Sequence, residues 1–258
     1  MGLIEKDIRE LKNLKTKRTL ILFFLNFILI ILVASFLLLW KLAGIDVNLL
    51  VTIYTVVALI LVAIVIYLRE YFSILDMKYK YLVMVQNKRE PYKLKKPIYS
   101  QEWIDSFIKN EGFKLQSDAQ NYSIYHKYIK VDRKVALVKK AMVIVVIAKN
   151  ESVDFYADEI DKKIKKVYHG NEYDKTEKHI VLQFKQYEAL TPENILEIDQ
   201  IINFRSGRFH AVQITCGYFP KTKEVYFLEP KRKYPSKFYY YACSLIKKYV
   251  GVLSNEKE

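Results

Sequence analysis

The chain has 258 residues, 52% of them hydrophobic, and a formal net charge of +14. Its length allows one or two domains, and its two cysteines, Cys216 and Cys243, form no spaced metal or redox motif. The sequence has no phosphate-binding P-loop, dinucleotide-binding glycine motif, G-x-S-x-G elbow, H-E-x-x-H motif or kinase signature. Their absence argues against several common enzyme classes.

Two uncharged apolar runs near the N-terminus predict membrane spans. The first covers residues 19–40, with 22 residues, and the second covers residues 49–68, with 20 residues. About 20 apolar residues, each rising about 1.5 Å, cross the roughly 30 Å of hydrocarbon in a bilayer. Two such runs back to back argue against buried helices of a soluble core, and the first run is too long for a cleaved signal peptide. We therefore predict a transmembrane helical hairpin over residues 19–68.

The charged flanks predict how this hairpin is oriented. Residues 1–18 carry six Lys or Arg against three Asp or Glu, and residues 69–100 carry eight against three. The connector, residues 41–48, has one Lys and one Asp. Because cationic flanks stay in the cytoplasm, we predict a cell-membrane protein with both termini cytoplasmic. The same flanks favour contact with an anionic leaflet.

The juxtamembrane segment, residues 69–97, is predicted to begin as a helix or stalk and to end as a linker between two prolines. An apolar stripe begins at the end of the second span and has heptad-like spacing. Its members are Leu68, Phe72, Leu75, Tyr79 and Leu82. Such a stripe pairs with a second copy, packs on the soluble domain or lies on lipid headgroups, and two heptads are too few to choose.

The remaining residues predict one cytoplasmic domain, 98–251, and a short tail, 252–258. Hydrophobic periodicity, N-cap residues and glycine stops predict helices at 101–111, 152–171, 191–204 and 236–251. Runs of β-branched and aromatic residues predict the strands, and the run at 143–147 predicts a central strand covered on both faces. The order α-β-β-β-α-β-α-β-β-α predicts a membrane-anchored α+β or α/β fold with a mixed β-sheet and about four helices.

Histidine and tyrosine offer weak signals of a site. His169 and His179 flank an acidic loop, but their spacing demands no metal, so a solvated loop is favoured. His126 and His210 are predicted at half-exposed strand positions. The 21 tyrosines often stand beside lysine, which suits base stacking, a membrane interface or ordinary half-buried positions, and the last is favoured. We predict no metal site, no cofactor and no catalytic residue.

The element order from 101 to 187 (helix, three strands, helix, strand) resembles that of restriction-endonuclease-like folds. The resemblance implies an acid and a Glu-x-Lys on adjacent strands, where carboxylates hold Mg²⁺ and the lysine assists the attacking water. The chain offers Asp118 near a strand start, Gln-x-Lys at 183–185 and Glu-x-Lys at 229–231. None has an acid placed to share a metal, so residues 229–235 are predicted to form a turn with a solvated basic tip.

The favoured function is a non-catalytic interaction or sensing domain held at the membrane surface, because the anchor is clear and no catalytic constellation is present. The alternative is a membrane-anchored enzyme acting on nucleic acid or a phosphorylated substrate. The expected partners are anionic lipid headgroups, and also a protein partner or a second copy through the juxtamembrane helix, whereas nucleic acid is not favoured. The candidate contacts with an anionic surface are Lys78, Lys80, Lys88, Arg89, Lys93, Lys95, Lys96, Lys231, Arg232 and Lys233.

Overall fold

A computed structural model describes residues 2–42, 46–131, 140–169, 178–207 and 209–252. The chain divides into two compact units, Met1–Gln86 and Asn87–Glu258. The first unit holds two long helices, and the second holds a mixed sheet with its own helices.

The first unit consists of α1 (Gly2–Leu42) and α2 (Val47–Gln86). Both helices are long and apolar enough, by length and composition, to cross a membrane. Neither contains a proline or an internal glycine that would interrupt its hydrogen bonds. Their apolar side chains face outward in large part, with Phe23 67% exposed and Leu59 65% exposed. So much exposed apolar surface is unfavourable in water, and it is consistent with a membrane location.

The apolar stripe on the last part of α2 packs against α1. Phe72 and Leu11 are buried, and the Arg18 guanidinium lies 5.7 Å from the centre of the Phe72 ring. An ion pair of 3.3 Å joins Lys15 of α1 to Asp76 of α2. Within this unit the stripe therefore contacts the basic N-terminal stretch of α1, an arrangement that the sequence-based alternatives did not include. The juxtamembrane helix is a continuation of α2, and the described residues form six helices.

Eight strands of the second unit form one mixed sheet in the order β1-β8-β7-β5-β4-β3-β2, with β6 also paired to β7. The strands are β1 (Tyr92–Lys93), β2 (Lys114–Asp118), β3 (Tyr122–Lys130), β4 (Lys140–Ala148), β5 (Lys178–Gln186), β6 (Ile202–Ser206), β7 (Phe209–Phe219) and β8 (Glu224–Tyr226). β4, β5 and β7 run parallel, and the other pairings are antiparallel. The three parallel strands therefore end at the same edge of the sheet.

Helices cover both faces of this sheet. They are α3 (Gln101–Glu111), α4 (Asp158–His169), α5 (Pro192–Ile198) and α6 (Lys237–Tyr249). On β5, Val181 belongs to the buried cluster formed with Ile164 of α4. Phe184 lies three residues further along, on the opposite face, and its ring contacts Phe107 of α3. Phe107 in turn lies 4.8 Å from Tyr249 of α6, so α4 covers one face while α3 and α6 cover the other.

Several sequence predictions are confirmed in this unit. The run 143–147 is buried throughout and lies in β4 with strands on both sides. Ser100 caps α3 by accepting a hydrogen bond of 3.2 Å from the Trp103 N–H, and Gly112 ends the helix at a φ of 69°, a conformation that glycine adopts without strain.

Three stretches differ from prediction. The helix predicted at 152–171 begins only at Asp158. The helix predicted at 191–204 ends at Ile198, and residues 202–206 form β6, which pairs with β7. The linker predicted before residue 98 carries β1, which pairs with β8, and its Leu94 is buried. Residues 87–97 therefore belong structurally to the sheet unit.

Candidate functional site

An open cleft of about 350 Å³ lies at the carboxyl edge of the parallel strands. Segments that end or directly follow β4, β5 and β7 line it, together with one residue from the approach to α3. The lining residues are Tyr99, Lys149, Asn150, Glu151, Gln186, Tyr187, Glu188, Pro220 and Lys221. Ligands of α/β sheets commonly bind outside the carboxyl ends of the strands. The cleft is therefore the candidate functional site.

Tyr99 is held in the wall of the cleft by ring stacking. Its ring lies 5.7 Å from that of Trp103 and 6.1 Å from that of Tyr218, with interplanar angles of 21° and 9°. Its φ of 73° is rare for an aromatic residue and costs about 1–3 kcal/mol. The hydroxyl is buried without a hydrogen-bond partner among the described residues. Burial, followed by nearby Cys216 and Tyr187, raises the pKa of Tyr99 well above its usual value.

Tyr187 follows β5 and is fully buried. Its ring stacks on Phe219 at 5.9 Å. Gly217 leaves the space for this ring, because a Cβ there would lie 3.1 Å from the ring and 2.4 Å from Cδ1 of Ile198. The Tyr187 hydroxyl is buried beside the Glu197 carboxylate, whose hydrogen bond with it contributes to its raised pKa.

The buried Lys185 contacts Tyr187, and its positive charge is balanced by the Glu197 carboxylate. Its ammonium donates to the Val153 carbonyl at 2.9 Å and to Glu197 Oε1 at 2.6 Å, and it lies 5.0 Å from the centre of the Tyr187 ring. Burial, followed by the nearby Glu197 carboxylate, raises the pKa of Tyr187. The phenol is therefore protonated at neutral pH and able to donate a hydrogen bond.

The rim of the cleft carries balanced charge. Lys149 donates to Asp118 Oδ1 at 2.7 Å, and Lys221 donates to Glu188 Oε1 at 2.9 Å. Glu151 accepts a hydrogen bond of 3.3 Å from the Glu188 N–H. Two lysines and two glutamates thus face the opening, and both lysines already pair with a carboxylate. The rim offers donors and acceptors without a strong field of one sign.

The residues that suggested an endonuclease-like site lie apart from one another or already pair with other side chains. Asp118 meets Lys149, but the residue two places before this lysine is Ile147, which supplies no carboxylate. In the Gln-x-Lys at 183–185, Gln183 accepts from Thr215 at 2.9 Å and Lys185 pairs with Glu197. Among the described residues no group of three His, Cys, Asp or Glu side chains is placed to hold a metal ion.

The candidate anionic-surface residues fall into two groups. Lys78 and Lys80 are exposed on α2, and Lys80 pairs with Asp76 at 2.9 Å. In the sheet unit, a bridge between Lys88 and Pro230 places the first residues of that unit beside the basic tip. Lys88 forms an ion pair of 2.9 Å with Asp199, and Arg89 is half-buried. The exposed members of this group are Lys93, Lys95, Lys96, Lys231, Arg232 and Lys233.

The turn predicted at 229–235 has a solvated tip, as expected, but Glu229 is fully buried. Tyr92 donates to its Oε2 at 2.6 Å, Lys247 donates to its Oε1 at 3.0 Å, and Tyr234 donates to the same oxygen. This cluster could not be predicted from the sequence, because its members lie on β1, the turn and α6. Glu229 serves to hold these segments together.

The histidines do not form a site in the described residues. His126 is half-buried in β3, as predicted, whereas His210 in β7 is buried, contrary to prediction. His210 Nε2 lies 3.0 Å from Asn203 Oδ1. His179 is buried at the start of β5, and the loop 170–177, predicted to be solvated, lies outside the described residues.

The cleft itself was missed by sequence reasoning. Its lining comes from segments near 99, 150, 187 and 220, which converge only when the strand order is known. The signal that would have pointed to it is the polar residue cluster directly after each apolar strand, at 149–151, 186–188 and 220–221.

Comparisons with known proteins assign no family. No protein-family model, no curated protein and no solved structure matches this chain. The candidate site therefore rests on its own geometry, a cleft at the carboxyl edge of β4, β5 and β7 with polar side chains at its rim.

Proposed function

We propose that this chain is a membrane-anchored binding or sensing module whose cytoplasmic sheet domain takes a small polar ligand in the carboxyl-edge cleft. The observation that carries the proposal is the open cleft of about 350 Å³ at the carboxyl edge of β4, β5 and β7, whose rim bears Lys149, Glu151 and Glu188. Ligands of α/β sheets commonly bind at this edge. The polar side chains of the rim can exchange hydrogen bonds with a bound ligand.

The membrane part of the proposal rests on α1 and α2. Their outward apolar surfaces and charged flanks favour two spans with both termini in the cytoplasm. The exposed basic residues near 93–96 and 231–233 then suit contact with anionic headgroups, each gaining about 1 kcal/mol near such a surface.

The ligand function is tested on the full chain purified from membranes in mild detergent. Small molecules extracted from it are quantified by mass spectrometry. Gln186→Trp places a bulky ring at an exposed lining position, and Leu196→Trp places the same ring at an exposed position of α5 outside the cleft lining. We expect the wild type and Leu196→Trp to retain a bound compound that Gln186→Trp loses. Equal extracts from all three proteins contradict the proposal.

The lipid contacts are tested by reversing three charges together. The triple variant Lys231→Glu/Arg232→Glu/Lys233→Glu should lower the amount of anionic lipid that co-purifies with the full chain, because these exposed cations would become anions. The same reversal at the exposed Lys162, Lys165 and Lys166 of α4 is the control. If the lipid content of the first variant is unchanged, the basic tip is not part of the proposed lipid-binding surface.

Catalysis is not part of the proposal. The enzyme alternative has support in the strand arrangement, since β2, β3 and β4 form an antiparallel meander and β5 runs parallel to β4. The carboxylates that such chemistry needs are not grouped among the described residues, so the binding function has the better support.

A further inference from the structure

Two separate stripes of side chains run along α1 within the first predicted span. One stripe faces α2: the hydroxyls of Ser35 and Tyr54 share a hydrogen bond of 2.7 Å, and the Phe36 ring lies 5.2 Å from the Tyr54 ring. The other stripe, here called the outer stripe, follows the spacing 4-3-4-3-4, which keeps side chains on one helix face. Its members are all exposed on the hairpin: Thr19, Phe23, Asn26, Ile30, Val33 and Leu37.

Asn26 stands in the middle of the outer stripe and is the one amide side chain in the two spans, which contain no charged residue. Its Nδ2 donates to the Leu22 carbonyl of its own helix at 2.9 Å. An amide also has a second N–H donor and a carbonyl acceptor. Asn26 lies seven residues after Thr19, about 10 Å along the helix, so this short side chain does not reach the headgroups.

The position of Asn26 calls for a hydrogen-bond partner outside the hairpin. A polar side chain in hydrocarbon is costly unless it is hydrogen-bonded, and membrane helices commonly satisfy such groups by bonding to a neighbouring helix. The described part of α2 contacts the opposite stripe of α1 and leaves Asn26 exposed. The amide is therefore available on the lipid-facing surface, where another helix can reach it.

A second copy of the chain carries the matching group at the matching depth. Two copies share the same charged flanks and so insert in the same orientation, which places their Asn26 side chains level with each other. A primary amide is self-complementary, because the donor of one amide meets the acceptor of the other. A two-fold axis brings a residue opposite its own copy, whereas an unrelated helix would need a polar group at the same depth.

The juxtamembrane stripe of α2 is a weaker candidate for contact with a second copy. Phe72 of that stripe is buried with Leu11 of α1 inside the hairpin, so the stripe is already covered. The outer stripe of α1 is not covered within the hairpin. Toward the N-terminus its spacing continues to Lys12 and Arg9, which are exposed. Like charges on two copies repel there, which confines the contact to the span.

We infer that two copies of this chain associate in the membrane through the outer stripe of α1, with their Asn26 amides hydrogen-bonded to each other. The two helices cross at the small angle, about 20°, of heptad-spaced contacts. This inference rests on the membrane location in the proposed function and is independent of the ligand cleft.

Cysteine cross-linking of the full chain in native membranes tests which face of α1 is used. Ile30→Cys lies in the outer stripe, and Ile31→Cys is the matched control, one residue and about 100° further round the helix. The two isoleucines are 65% and 51% exposed. With copper phenanthroline as oxidant, Ile30→Cys should give a disulfide-linked dimer on a non-reducing gel and Ile31→Cys should not. Wild type, whose two cysteines are buried, gives the baseline.

The role of Asn26 is tested by energy transfer between full chains that carry two different fluorescent proteins at the C-terminus. The chains are reconstituted together in liposomes, and the transfer is followed as the lipid-to-protein ratio rises. Asn26→Leu should raise the dissociation constant about three- to thirtyfold, the range expected for interhelical hydrogen bonds in membranes. Asn26→Gln should retain most of the association. Thr55→Leu, at an exposed position of α2, should match wild type.

Equal cross-linking at positions 30 and 31, or equal dissociation constants in wild type and Asn26→Leu, would overturn the inference. Absence of energy transfer in wild type would do the same, and a different membrane protein that co-purifies with wild type but not with Asn26→Leu would then be the occupant. Recovery of Asn26→Leu in the membrane fraction after a carbonate wash separates lost pairing from lost insertion. Recovery of wild type in the soluble fraction would overturn both the inference and the membrane location, whereas the ligand-extraction experiment decides the cleft separately.

Discussion

Buried carboxylates show what tyrosines do inside this domain. Glu229 accepts from Tyr92 at 2.6 Å, and Asp199 accepts from Tyr226 at 2.6 Å. A buried charge is costly unless it is paired and hydrogen-bonded, and a phenol supplies a strong donor while its ring fills apolar space. These contacts support the ordinary interpretation of the tyrosine-rich composition over stacking on nucleic acid bases.

His210 gives the clearest pH dependence at the level of a single residue. Its ring is buried against Phe238 at 4.8 Å. Burial, followed by the positive charges of Lys178 and Arg205, lowers the pKa of His210 to about 4. An unfolded histidine titrates near 6.5, so the unfolded state binds the proton first as the pH falls. The stability of the domain should therefore be full above about pH 6.5 and should decrease toward pH 4, by up to about 3 kcal/mol.

This prediction is measured by urea unfolding of the full chain in detergent between pH 4 and 7. A Trp40→Phe background leaves Trp103 as the reporter, since the chain has two tryptophans. His210→Gln should flatten the dependence of the free energy of unfolding on pH, whereas His126→Gln should have a smaller effect because that ring is half-exposed. Equal slopes in wild type and His210→Gln would show that another group carries the effect.

At the scale of helices and strands, the sequence predicts those features that the local residue pattern determines. Three such features are visible in the sequence and present in the structure: the apolar run in β4, the Ser100 cap of α3 and the Ser236 cap of α6. The end of α5 is not visible, because Ile201 and Ile202 continue the apolar pattern and pairing with β7 decides their conformation. The cleft needs the strand order, which depends on contacts between distant segments and not on local propensity.

The contact between β7 and α5 yields a prediction at this scale. Gly217→Ala should destabilise the sheet domain by about 1–3 kcal/mol, because the new methyl meets Cδ1 of Ile198 and the ring of Tyr187. The free energy of unfolding is measured by the same Trp103 fluorescence.

A double-mutant cycle isolates the steric cause. Ile198→Val removes the Cδ1 atom that lies nearest to the added methyl. The pair Gly217→Ala/Ile198→Val should therefore lose less stability than the sum of the two single changes. Additive losses would mean that the glycine is required for another reason.

At the scale of the whole molecule, the two long helices extend beyond a bilayer. α1 and α2 have 41 and 40 residues, or about 60 Å at about 1.5 Å per residue, against roughly 30 Å of hydrocarbon. Their basic ends contact each other through Lys15 and Asp76. Under the proposed topology this paired section lies in the cytoplasm, where its charges are solvated and attract the anionic leaflet.

That topology predicts which side of the membrane each end of the hairpin faces. Cys216 and Cys243 are fully buried, so the native chain should react slowly with a maleimide that cannot cross the membrane. A new thiol at the exposed position in Asn48→Cys should be labelled in intact cells. Lys6→Cys, at an exposed position of α1, should be labelled only after permeabilisation, because the cationic flank stays inside. Labelling of Lys6→Cys in intact cells would reverse the orientation and place the cleft on the opposite side of the membrane.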